Sequence, residues 1–144
     1  CQDSCVEFFV RPRPDKGYFN FELSATGVLL LYYISQEERT EAGFREYLKV
    51  PVEWGSQVKV ATTLQGPITT ELPGPLTWEL AFSVPLALFE AFTGPLGALS
   101  GQRWRANFYK CAGDSSLGHW AYWSDIGERL NFHQPDQFGQ LDFA

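Results

Sequence analysis

Ser4-Cys5-Val6-Glu7-Phe8-Phe9-Val10 and Tyr18-Phe19-Asn20-Phe21-Glu22-Leu23 are the two stretches that decide the fold. In each, apolar and polar side chains alternate with the period of two that belongs to a strand. Val6, Phe8 and Val10 take one face of the first, and Cys5, Glu7 and Phe9 the other. Phe19, Phe21 and Leu23 share a face of the second, opposite Tyr18, Asn20 and Glu22. Between them lies Arg11-Pro12-Arg13-Pro14-Asp15-Lys16-Gly17, where two prolines and a glycine cannot sustain a ladder. Ala25-Thr26-Gly27 turns the second stretch into the apolar run 28–34, and that pair reads as a hairpin with one buried face.

Working outward, residues 36–45 are polar and charged and read as a long excursion loop. Short strands are expected at 48–54 and 57–64, with turns at Gly66-Pro67 and Pro73-Gly74-Pro75. Residues 77–84 align Trp78, Leu80, Phe82 and Val84. Pro85 then opens a short helix, 86–92, which Gly94-Pro95 ends. Residues 102–111 form a strand with Trp104, Ala106 and Phe108 on one face and Arg103, Arg105, Asn107, Tyr109 and Cys111 on the other. Residues 119–124 add a short strand, and the tail 137–143 closes a sheet. Short strands with turn signals every ~8–12 residues define an all-β antiparallel β-sandwich with one short helix, in a single domain over 1–144.

Composition bounds the function. The chain has 144 residues, 44% hydrophobic and 19% charged, with a net charge of −6. A non-specific nucleic-acid binder needs a basic face, so no nucleic-acid partner is expected. The longest uninterrupted apolar run, 28–34, falls far short of the roughly 20 residues of a membrane-spanning helix, so no membrane span is expected. The chain opens inside a strand and without an initiator Met, so it reads as an N-terminally incomplete piece of a longer product. Cys1 is either the lipid-bearing first residue of a lipoprotein or simply where a boundary falls. No CxxC pair occurs, which excludes a zinc ribbon. Cys5 and Cys111 fall on the same parity as Glu7 and Asn107. They read equally as a disulfide, which would close a loop of ~100 residues and contribute up to ~4.7 kcal/mol in the chain-entropy model, or as two reduced thiols side by side.

The strong catalytic motifs are missing: there is no GxxxxGKS/T phosphate loop, no GxGxxG and no HExxH. Gly113-Asp114-Ser115-Ser116-Leu117-Gly118 approaches a nucleophile elbow but has Leu117 where the motif needs Gly, and reads as a polar turn. His119 and His133 lack partner spacing for a metal and read as hydrogen-bonded structural groups. Met is absent, so a methionine–histidine haem site is excluded. Asp3, Glu7 and Glu22 are the best carboxylate group. Glu7 and Glu22 share a face, which leaves open a glycosidase pair beside the plainer reading of a solvated face or counter-charges for Arg105.

Five motifs occur in order: Asp3-Ser4-Cys5-Val6-Glu7-Phe8-Phe9; Tyr18-Phe19-Asn20-Phe21-Glu22; Arg105-Ala106-Asn107-Phe108-Tyr109-Lys110-Cys111; Trp123-Ser124; and Asn131-Phe132-His133-Gln134-Pro135-Asp136-Gln137-Phe138-Gly139. The chain resembles the carbohydrate-binding module family 9-like domains of bacteria, in the branch with DSCVEFF and a closing FHxPxxFG; residues 36–76 match loosely. The resemblance implies an antiparallel β-sandwich that binds sugar and does no chemistry, in a secreted or periplasmic polysaccharide- or oligosaccharide-processing system. In such modules a sugar end lies between two aromatic rings. Glu7 matches the glutamate that accepts hydrogen bonds from hydroxyls, and Phe132 matches the second ring, a Trp in the sugar-binding prototype. The first ring precedes Cys1. Glu22 stands where an arginine is expected. Family members carry further strands before the DSxxE segment, so strand exchange with another chain or with a preceding segment is expected here. The resemblance allows a structural calcium, with no site assigned; no other cofactor is expected.

The residues themselves support a sugar reading. A pyranose needs a flat ring against its C–H face and polar groups on its hydroxyls. Phe132 has Arg129, Asn131 and His133 beside it in a loop, and the polar sheet face adds Asn20, Glu22 and Arg105 to Glu7. Trp123 belongs to the same cluster but, like Phe138, also reads as a core plug. The alternatives are a structural or protein-interaction sandwich without a sugar site, and an enzyme using Glu7 and Glu22.

Overall fold

The computed structural model describes residues 4–41 and 43–144, apart from the side chains of residues 37 and 39. Asp3 and Cys1, and the readings attached to them, lie outside the described residues. Nine strands are described: β1 (Cys5–Arg11), β2 (Tyr18–Ser24), β3 (Leu29–Thr40), β4 (Gly43–Lys49), β5 (Lys59–Thr62), β6 (Leu80–Ser83), β7 (Arg103–Ala112), β8 (His119–Tyr122) and β9 (Gly139–Asp142). The main antiparallel sheet runs β4-β3-β2-β1-β7-β8, with β9 on the same edge of β7 as β8 but further along it. β5 and β6 form a second, two-stranded sheet. This is the antiparallel sandwich expected, with helix α2 (Leu86–Thr93) where the short helix was predicted and one extra helical turn, α1 (Val52–Gly55).

Central β1 and β2 keep the face assignment read from alternation. Val6, Phe8 and Val10 of β1 lie across from Leu23, Phe21 and Phe19 of β2. Behind them Val10, Phe19, Phe21, Leu31, Tyr33, Trp104 and Ala106 pack with Leu88 and Phe89 of α2, and Phe82 and Val60 of the small sheet close over them. Phe19 meets Phe89 edge-on at 5.1 Å, and Phe89 meets Trp104 at 5.3 Å. Each such ring turned inward is worth roughly 1.5–3 kcal/mol. Helix α2 starts after Pro85, whose missing N–H costs nothing there, and stops at Gly94, whose φ of 83° lies in the left-handed region.

Three segments differ from expectation. Residues 36–45 are not an excursion loop: β3 and β4 continue through them as a hairpin, with register irregularities around Gln36. Its ladder needs no burial, because backbone bonds, the Ser35 hydroxyl to the Glu46 carbonyl (3.2 Å) and an Arg45–Glu38 ion pair hold it in solvent. The strand expected at 48–54 ends at Lys49, since Pro51 cannot donate to a ladder and precedes α1. Of 77–84 only Leu80–Ser83 pairs.

At the β2 entry, Gly17 sits so close to β3 that a Cβ would fall 2.0 Å from the Ile34 carbonyl oxygen. Its own N–H donates to the Tyr33 hydroxyl at 3.0 Å. The clash is with backbone and cannot be relieved by a side-chain rotation. Gly17→Ala is expected to cost about 1–3 kcal/mol or more, which thermal unfolding monitored by circular dichroism will register as a melting temperature lowered by roughly 5 °C or more.

Candidate functional site

The opposite face of the main sheet carries the polar residues. Cross-strand register orders it in rows. Glu22 of β2, Glu7 of β1, Tyr109 of β7 and Tyr122 of β8 form one row; Asn20, Phe9 and Asn107 form the next; Arg11 and Arg105 the third. Cys5, Cys111 and Trp120 form the row on the other side of Glu7. Glu7, Asn20, Glu22, Arg105 and Asn107 therefore do share one face, but it is not an open solvated face. Glu7, Asn20 and Asn107 are buried. The segment from Ser124 to Phe138 lies over Asn107, Phe9 and Tyr18.

That segment is tied down by named contacts. Asn107 accepts from the backbone N–H of Ser124 at 2.8 Å and donates to its carbonyl at 2.9 Å. The Gln134 amide donates to the carbonyls of Ile126 (3.0 Å) and Asn131 (2.7 Å), folding the loop on itself. Phe138, fully buried, meets Tyr18 edge-on at 5.4 Å. His133 packs over Phe9 at 4.7 Å and against Phe44 at 4.7 Å, with its Nδ1 2.8 Å from the Tyr18 hydroxyl. This is the structural histidine expected, and it anchors the loop. Asn131 Oδ1 accepts the His133 backbone N–H at 3.2 Å. Arg129 is exposed.

Phe132 is brought to Glu7 through Tyr109. The Phe132 and Tyr109 rings stack nearly parallel, 4.2 Å apart at 11°, and the Tyr109 hydroxyl donates to the Phe132 carbonyl at 2.9 Å. Tyr109 is the cross-strand neighbour of Glu7. Phe132 remains half-buried, and through Tyr109 it lies on the sheet face that carries Glu7. Glu22 lies across from Glu7 on β2 and accepts from the Asn20 amide at 2.9 Å, while Asn20 Oδ1 is buried with no hydrogen-bond partner among the described residues. Arg105 stands apart, four residues along β7 from Tyr109, about 14 Å at the rise of a strand, and its guanidinium donates to the Asp136 carbonyl at 3.3 Å. Trp123 is neither core nor site: it is 54% exposed and packs on Phe108, on the other face.

Sequence reasoning missed Tyr109, Tyr122 and Trp120. The alternation of β8 already put Trp120 and Tyr122 on one face, but only the register with β7 shows that it is Glu7's face.

Electrostatically the row is dominated by two facing acids. Burial, and then the neighbouring Glu22 carboxylate, push Glu7 up to about 8. Near neutral pH its carboxyl group is therefore largely neutral, able to donate as well as accept. Burial also raises the Tyr109 phenol above its usual range. Glu7, Cys5 and Cys111 place one ligand atom each within 4.8 Å of one another. Cys5 is disulfide-bonded and Cys111, a buried thiol, is not, so the Cys5–Cys111 bridge is not formed although the two are register partners. With Cys5 so engaged, two donors remain, too few for a closed zinc site, and the sulfur makes this no calcium site. Two grooves of about 360 and 240 Å³ lie on the other face, one lined by Trp78 and Lys110, the other by Phe82 and Trp104. Neither groups carboxyl and amide side chains as the Glu7 row does.

These features define a β-sandwich with a candidate ligand-binding face on its main sheet. The chain belongs to carbohydrate-binding family 9, whose model matches residues 1–143. Its structure is similar to that of a candidate carbohydrate-binding protein from Bacteroides uniformis, with 35% identity and a TM-score of 0.84 over 99% of this chain. The chain spans 62% of that protein's length. No curated protein gives a significant match to the sequence. Among the described residues, no helix is long and apolar enough to cross a membrane.

The raised Glu7 value fixes a pH dependence. The unfolded chain releases this proton near 4.5 and the folded chain holds it to about 8, so stability falls as pH rises between those values. Glu7→Gln removes the ionisation. The variant is expected to melt near the wild-type temperature at pH 4 and several degrees above it at pH 9, read by differential scanning calorimetry. A gap independent of pH would contradict the assignment.

Proposed function

We propose that this chain is a non-catalytic carbohydrate-binding module of a secreted or periplasmic polysaccharide- or oligosaccharide-processing system. The observation that carries the reading is the half-buried Phe132 ring seated on Tyr109 next to buried Glu7. A pyranose offers a C–H face to the ring and hydroxyls to Glu7, Glu22 and Asn20, with Asn131 at the loop. His133 and Arg105 hold the loop rather than the ligand, and Arg129 lies at its outer side. The family match and the Bacteroides neighbour support the ligand class. A neutral sugar suits the site better than an anionic one, because Glu22 lies where a uronate would meet it.

A second reading has its own support on the other face. Phe108 (41% exposed) and Trp123 (54% exposed) form an edge-on pair 5.8 Å apart beside half-buried Phe8. Exposed aromatic surface of this kind suits a protein contact, and a preceding strand or one exchanged from another chain would cover it.

Glycan-array screening of the protein, then calorimetric titration of the best hit, tests the first reading. Phe132→Ala is expected to weaken binding by about tenfold, or 1.4 kcal/mol, with the melting temperature lowered only a few degrees for loss of the Tyr109 stack. A large loss of stability with binding intact would make Phe132 a packing residue and favour the second reading.

A further inference from the structure

Edge strand β8 carries two aromatic rings that the site as described does not use. Trp120 and Tyr122 are 47% and 45% exposed. Register places them on Glu7's face: Tyr122 is the cross-strand neighbour of Tyr109, and Trp120 that of Cys111. All four residues of β8 are exposed, and no strand pairs its outer edge among those described. Exposed tryptophan and tyrosine on an edge strand carry an aggregation cost that a fold usually avoids, so their position needs a reason.

The geometry supplies one. The Phe132–Tyr109 stack leads directly to Tyr122, one strand further on and about 5 Å away across the ladder, and Trp120 stands two residues along β8, about 7 Å from Tyr122 at the rise of a strand. The rings thus continue the candidate site sideways, off the sheet edge, as a ledge of flat apolar faces on the side of Tyr109 away from Glu7 and Glu22. A single sugar over Phe132 and Glu7 would not reach them, whereas a chain of sugars would.

Resting on the sugar-binding reading, we infer that Trp120 and Tyr122 form a second subsite, so that the module binds an oligosaccharide laid across β7 and β8 rather than one sugar unit. The occupant is a neutral glycan of at least two pyranose units: aromatic faces favour stacking on C–H surfaces, and the described residues of these rows, Glu22, Glu7, Tyr109, Tyr122, Cys5, Cys111 and Trp120, include no lysine or arginine for an acidic chain.

The test titrates the protein with glucose, xylose, mannose and galactose and with the homotetraose of each, following calorimetry and tryptophan fluorescence. At least one tetraose is expected to bind about tenfold or more tighter than its monosaccharide. Trp120→Ala and Tyr122→Ala should each remove most of that gain and leave the monosaccharide within twofold, whereas Phe132→Ala weakens both. Should Trp120→Ala not fold, Tyr122→Leu reports the same loss, since leucine keeps apolar bulk without a flat face. A tetraose bound no more tightly than its monosaccharide, or a gain that survives both ring removals, overturns the subsite and leaves the sugar-binding reading standing. Wild-type protein that binds none of the eight overturns both.

Discussion

Strand β1 is hydrogen-bonded on both sides, to β2 and to β7, and the rest of the molecule depends on its register. A slip of one residue would exchange its faces entirely. Val6, Phe8 and Val10 would turn to the loop side, and Glu7 would be driven among the rings of the sandwich core. No slip of this kind is tolerable, because both faces are specified at once. One is filled by α2 and the small sheet, the other by His133 and Phe138 pressing on Phe9 and Tyr18. The Phe9 ring is the fixed point of the second face, with Tyr109 edge-on at 5.0 Å and Tyr18 at 5.9 Å.

The same constraint builds the site. Asn107, two residues from Tyr109, fixes the start of the Ser124–Phe138 segment to β7, and His133 fixes its end over Phe9. Phe132, between them, has nowhere to go but onto Tyr109. The loop thus serves packing through its alternate members and presents one ring as a consequence. This explains why His133 and Phe132, neighbours in sequence, differ in kind: the first is held by the Tyr18 hydroxyl, the second is left half-open.

What was legible in the sequence follows the same division. The faces of β1, β2 and β7 could be read because each strand is packed on both sides, and alternation there records burial. Hairpin β3–β4 could not be read through residues 36–45, since its ladder stands largely in solvent and leaves little apolar trace beyond Phe44, which packs on His133. Alternation also told which way Glu7 points but not how deep it lies, because alternation records the direction of a side chain and not what packs over it. The pairing of Phe132 with Glu7 came from resemblance, not from spacing. Trp120 and Tyr122 had the right pattern, but a pattern within one strand does not say which neighbour it faces.

Glu7 and Glu22 show how the site tolerates its own composition. Like charges directly opposite on an antiparallel pair oppose folding, and here no lysine or arginine is described between them. The fold relieves this at Glu7, the more buried of the two, whose carboxyl group keeps its proton to about 8. Asn20 donates a hydrogen bond to Glu22 on that side. The row then presents one donor-capable neutral carboxyl beside one hydrogen-bonded acid. That is a surface suited to hydroxyl groups, which both donate and accept. It is poorly suited to anions, for which the arginine expected at position 22 by resemblance would have been the partner. Glu22 thus puts an acid where the resemblance led to an arginine, and the β1–β2 ladder is formed around it all the same.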